Sequence, residues 1–117
     1  MMSLQTILLI QAVYYLPTAL WAMIHIRSFE KVTGPKSDRW LVYTVASLLV
    51  SSSLVFLYSG ARSEPVPAET IILAVSNCLS LISIDVIFVF KKKISKVYVL
   101  DAVGEIAILV FLMLAIS

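Results

Sequence analysis

The chain has 117 residues, of which 61% are hydrophobic and only 14% charged. A soluble domain carries about 25% charged residues, and a small globule has too little interior to hide so much apolar surface; lipid is the expected solvent. The net charge of +2 sits in clustered loop cations, not in a basic face interleaved with polar contacts, which argues against nucleic acid as a partner. Cys78 is the single cysteine, so neither an intrachain disulfide nor a cysteine-based metal site can form.

Four apolar segments, at about 4–26, 40–59, 67–90 and 97–116, approach the roughly 20 residues needed to span a bilayer core. Backbone groups in lipid must bond within their own segment, so these are predicted helices, together forming a single transmembrane domain over residues 1–117. The first segment has no Lys or Arg before Arg27 and is too long for a signal-peptide core, so it reads as a retained span. Pro17 lies inside it and predicts a kink or a freed carbonyl near Val13.

The first loop, 27–39, carries Arg27, Glu30, Lys31, Lys36, Asp38 and Arg39, with a Gly34-Pro35 turn. Ser37 or Asp38 is the expected cap of the second span. The second loop, about 60–66, has one cation, Arg62, with Glu64 close by. Pro67 suits the first turn of the third span, and Glu69 suits the positive end of its dipole. The third loop holds Lys91, Lys92, Lys93 and Lys96, with Ser95 as an expected cap for the fourth span. This lysine run reads as a topology signal and a contact for anionic lipid. Loops one and three together hold eight Lys and Arg against one in loop two. The positive-inside rule then places loops 27–39 and 91–96 in the cytoplasm and both termini outside, in a bacterial inner membrane. Short loops favour antiparallel neighbours, so the expected fold class is all-α, an integral membrane four-helix up-down bundle.

Polar residues suggest inward faces. On the first span Gln11, Thr18 and His25 are spaced by seven, with Tyr14, Tyr15 and Ala22 beside them. On the second, Trp40, Thr44, Ser47, Ser51 and Tyr58 share a face; on the third, Ala74, Cys78, Leu81 and Asp85; on the fourth, Tyr98, Asp101 and Glu105, next to Gly104. Such small and polar faces permit close packing and interhelical hydrogen bonds. Asp85 precedes Lys91 by six residues and Asp101 follows Lys96 by five, which puts both roughly 8–9 Å from the basic turn at 1.5 Å per residue. Glu105 lies a helical turn deeper.

Charged groups inside a membrane cost at least about 2–3 kcal/mol at the helix centre and usually face inward, where they act. His25, Asp85, Asp101 and Glu105, with Tyr98 and Thr44 at similar depth, are therefore the candidate ligand- or ion-binding residues. A plainer role is open to each. Asp101 lies near the positive end of its helix. Asp85 is close enough to the lysine run for a snorkelling partner. His25 falls at headgroup level, and terminal Tyr and Trp serve as interfacial anchors. One His with scattered carboxylates makes no metal-ligand spacing. No nucleophile elbow or Gly-rich phosphate loop is present, so neither catalytic residues nor a cofactor are expected.

The stretches Phe29-Glu30-Lys31-Val32-Thr33-Gly34-Pro35-Lys36-Ser37-Asp38-Arg39-Trp40-Leu41-Val42 and Ile94-Ser95-Lys96-Val97-Tyr98-Val99-Leu100-Asp101-Ala102 resemble stretches in a family of uncharacterised small four-span bacterial membrane proteins. That resemblance implies the four-span fold and no particular activity. Length and span count are also similar to the small multidrug resistance transporters, which carry an essential glutamate in their first span; this chain has no acid there. The expected function is a non-enzymatic membrane protein that binds a lipid or small ligand or serves as an accessory subunit. The alternatives are an oligomeric proton-coupled or cation transporter, working as a homodimer or within a larger membrane complex, and an enzyme acting on a lipid-soluble substrate.

Overall fold

A computed structural model describes residues 3–35 and 38–116. All regular structure among them is helical: α1 Leu4–Ile24, α2 Ile26–Thr33, α3 Arg39–Ala61, α4 Ala68–Phe90 and α5 Tyr98–Ile116. Four of these, α1, α3, α4 and α5, are long and apolar enough to cross a membrane. Their 19 to 23 residues correspond to roughly 30 Å of helix, the thickness of a bilayer core.

The segment expected to be a loop at 27–39 contains α2. Ile26, Phe29 and Thr33, spaced by three and four, are buried on one face, while Arg27 and Lys31 stay exposed. This is an amphipathic helix of about two turns whose charges made it look like a loop. The first long helix continues through Pro17 and ends at Ile24, two residues earlier than expected. His25 leaves helical geometry at φ −139° and ψ 72°. Its Nδ1 accepts the Ser28 backbone N–H at 3.2 Å and so caps α2. The Ser28 hydroxyl accepts from Trp21 Nε1 at 2.7 Å, and the Trp21 ring meets Phe29 edge-on at 5.3 Å, which folds α2 back onto α1. Gly34 stops α2 at φ +98°, a conformation that favours glycine. Arg39 pairs with Glu30 at 2.5 Å and ties α2 to the start of α3. Asp38 occupies the cap position of α3 but makes no side-chain cap bond; Ser37 and Lys36 lie outside the described residues.

Pro67 stands at the cap of α4, one position before the expected first turn, and its carbonyl accepts from Thr70 and Ile71. Glu69 lies in the first turn as expected. The far end of α4 closes through two crossed backbone bonds, Lys93 N–H to Phe88 O at 2.9 Å and Lys92 N–H to Val89 O at 3.0 Å. Lys92 takes φ +60° at the position where such helix ends usually carry glycine. The Ser95 hydroxyl, expected to cap the last span, accepts the Val97 N–H at 3.3 Å in the turn just before α5. Left-handed backbone costs a non-glycine residue roughly 1–2 kcal/mol, and glycine returns roughly 0.5–1 kcal/mol of that through unfolded-chain entropy. Lys92→Gly is therefore expected to stabilise by about 0.5–1 kcal/mol, read as a rise in melting temperature in lipid nanodiscs. An unchanged or lower value would mean that the lysine charge or its Cβ does more for this turn than its backbone strain takes away.

The long helices form two close pairs, α1 with α3 and α4 with α5, with thinner contact between the pairs. Gly60 of α3 sits against α1: a Cβ there would stand 2.7 Å from Leu9 Cγ and 2.8 Å from the Gln5 carbonyl oxygen. Small residues at a helix crossing let backbones approach this closely. One core cluster joins all four long helices through Leu8, Ala12, Phe56, Cys78, Ile108 and Leu112. A second, smaller cluster of Ala19, Ala22, Phe29 and Ala46 lies at the end where α2 folds back. Gly34 of the first connection and Ser95 of the third approach each other at that same end, 3.6 Å from a Cβ built on the glycine to Ser95 Cβ. The two most basic connections are thus neighbours.

Candidate functional site

The expected inward face of α3 turns outward, and that of α1 turns inward only in part. On α3, Trp40, Thr44, Ser47, Ser51 and Tyr58 are all exposed, and the buried face is Ala46, Ser53, Phe56, Ser59 and Gly60. The hydroxyls explain why polarity misleads here. Thr44 bonds back to Trp40 O at 2.8 Å, Ser47 to Tyr43 O at 2.8 Å and Ser51 to Ser47 O at 3.2 Å. A hydroxyl satisfied by its own helix has no need to face another. On α1, Gln11 is buried but Thr18 and His25 are exposed; the inward face runs Leu8, Ala12, Tyr15, Ala19, Ala22, in steps of four and three. Thr44 and His25 therefore do not join the acids. His25 is spent on capping α2, with Ser28 Oγ 2.8 Å from its Nδ1.

The faces of α4 and α5 do turn inward. Ala74, Cys78 and Asp85 are buried on α4, with Leu81 half-buried between them; Glu105 is fully buried on α5, and Asp101 and Tyr98 are half-buried. Asp85 faces Asp101 across the α4–α5 contact, within hydrogen-bonding reach. Asp101 Oδ1 accepts the Tyr14 hydroxyl at 2.7 Å. Glu105, one turn further along α5, accepts the Tyr15 hydroxyl at 3.0 Å through Oε2. Gln11 Nε2 donates to Tyr15 Oη at 3.1 Å and to Ala74 O at 3.1 Å, and lies 3.5 Å from Cys78 Sγ. α1 thus supplies the hydrogen-bond donors and α5 the acceptors.

The donors Tyr14 and Tyr15 were not among the expected site residues. Their position was the available signal. They fall near the middle of α1, away from the ends where tyrosines anchor at the membrane surface, and a buried tyrosine hydroxyl usually finds a partner. Gly104 makes room for one of them: a Cβ there would stand 2.6 Å from Tyr14 Oη.

The network leaves acceptors over. Glu105 Oε1, Gln11 Oε1 and Asp85 Oδ2 are buried without a hydrogen-bond partner. The ion pairs among the described residues, Arg39 with Glu30 and Arg62 with Glu64, lie elsewhere, so none of the three acids has a cationic partner there. Nor, among the described residues, does any group of three or more His, Cys, Asp and Glu have an arrangement that could hold a metal ion.

A cavity of about 310 Å³ opens beside the acids, at the end where α2 folds back. Ala19, Ala22, Val42, Ala46 and Leu49 form its apolar side, between α1 and α3. Tyr14, Tyr98, Asp85 and Asp101 supply polar groups to its wall, and Phe29 of α2 and Ile94 of the α4–α5 connection also line it. Away from the cavity, residues such as Phe56 and Leu112 fill the interior between the helices. No protein-family model, curated protein or solved structure matches this chain.

Proposed function

We propose that this chain is a four-span, up-down helical bundle of the bacterial inner membrane that binds a small ligand or a lipid chain without chemical turnover. The observation that carries this reading is the cavity: about 310 Å³, apolar on most of its wall, with a few polar groups converging on one side. Binding sites for small molecules combine these features, at volumes of about 300–1,000 Å³. The nearness of the two basic connections supports a topology with 27–39 and 91–96 in the cytoplasm and both termini outside. The cavity then opens in the cytoplasmic half, where Lys91, Lys92, Lys93 and Lys96 meet anionic lipid.

Native mass spectrometry of the protein released from its own membranes tests the function. A chain carrying a defined extra mass is expected. Release of a ligand-free homo-oligomer would favour the transporter reading below, and a fixed stoichiometric complex with another protein and no small-molecule mass would replace the ligand reading with that of an accessory subunit. Topology is checked by labelling introduced cysteines. Ser63→Cys is expected to react from the cytoplasmic side of the bilayer only if the proposed orientation is inverted, and Cys78, fully buried, gives little background. A transporter is the second reading, favoured by buried carboxyl oxygens that lack partners. Proton-driven flux in proteoliposomes that is lost in Glu105→Gln would favour it.

A further inference from the structure

The cavity wall has a single acidic patch. Asp85 is 4% exposed, lines the cavity, and keeps Oδ2 without a partner. Asp101 faces it from α5 and lines the same space. One proton shared between the two carboxyls leaves a single negative charge on the pair, and among the described residues no cation is paired with either. A single positive charge beside them is the missing complement. The remaining wall is apolar, and the rings of Tyr14 and Tyr98 flank the acids.

We propose that the cavity takes an apolar molecule bearing one positive charge, an amine or quaternary ammonium, with its head against the Asp85–Asp101 pair on the cavity side and its body between α1 and α3. This rests on the ligand-binding reading above and names the ligand's class. Three alternatives fit less well. An anionic headgroup would be repelled by the two carboxyls. A neutral chain would leave the acceptors unsatisfied and gain little, because lipid tails are as apolar as the cavity wall. A whole phospholipid is too large, since about 310 Å³ is near the lower end for ligand pockets. A cation held in low dielectric, by contrast, gains strongly from a carboxylate and further from aromatic faces nearby.

The test compares two probes of one shape, phenylbutyltrimethylammonium and its neutral isostere with carbon in place of nitrogen. Binding to the full chain in lipid nanodiscs is followed by tryptophan fluorescence, because Trp21 packs on Phe29 and Phe29 lines the cavity. The cation is expected to bind at least about tenfold more tightly, a difference of about 1.4 kcal/mol. In Asp85→Asn the two affinities are expected to converge, and Asp101→Asn supplies the same comparison should the first variant fail to fold. Equal binding of both probes to the unaltered chain would overturn the cation assignment and leave the cavity as a ligand site. A cation preference that survives in both variants would overturn the carboxyl pair as the head site. Binding of neither probe, confirmed by the absence of any probe mass in native spectra, would overturn the cation assignment and the ligand reading together.

Discussion

Glu105→Gln is expected to melt above the unaltered protein, by about 1–3 kcal/mol of stability. The Glu105 side chain is fully buried, its Oε2 accepts one bond from Tyr15, and its Oε1 has no partner. An unsatisfied buried acceptor carries its whole desolvation penalty, and a charged one carries more. Glutamine keeps an oxygen for the Tyr15 hydroxyl and places N–H donors in a region short of them, since Gln11 Oε1 also lacks a partner there. A residue that lowers stability while sitting at the centre of a polar network fits a functional role better than a structural one. Thermal unfolding in nanodiscs decides the matter. A lower melting temperature for Glu105→Gln would mean that the carboxylate is held by something that rewards its charge, such as a bound cation or a buried water chain.

The second large effect is expected at Gly60. Gly60→Leu should lower stability by about 1–3 kcal/mol, the range for overpacked interiors. Its Cβ would meet the Gln5 carbonyl oxygen at 2.8 Å, and backbone cannot swing aside as a side chain can. The added leucine gains nothing from burial, because the lipid it leaves is equally apolar. Gly104→Ala is the control. Its Cβ would meet only the Tyr14 ring and hydroxyl, so Tyr14 can yield. That variant should fold nearly as well but loosen the Tyr14 bond to Asp101. If Gly60→Leu proved as stable as the unaltered chain, the α1–α3 crossing would have to be more open than the structure places it.

Prediction and structure agree most closely where the governing physics is local. The four long helices fall on the runs of about 20 apolar residues, the length at which a segment satisfies its own backbone as a bilayer span would require. Their ends follow from local groups such as Ser95 and Glu69. Asp85 and Glu105 turn inward as read and Asp101 is half-buried, because a carboxyl in an apolar stretch has no donor in its own helix to satisfy it. Serine and threonine do have a backbone partner, at the carbonyl four residues back. The α3 stripe through Thr44, Ser47 and Ser51 is therefore free to face outward, which no count of polar residues could reveal.

By itself, then, the sequence determined the helical class, the number of helices long and apolar enough to cross a membrane, and the depth of three acids along their own axes. All of these depend on composition and on distance along the chain. The tertiary structure decided which faces meet. It withdrew His25 into a cap for α2, an element hidden by its charges. It brought Tyr14 and Tyr15 of α1 to acids some ninety residues away, and it left a cavity among the helices beside two of those acids. Those features depend on rotation about helix axes and on the fit of Gly60 and Gly104 against α1, and no periodicity within a single segment encodes either.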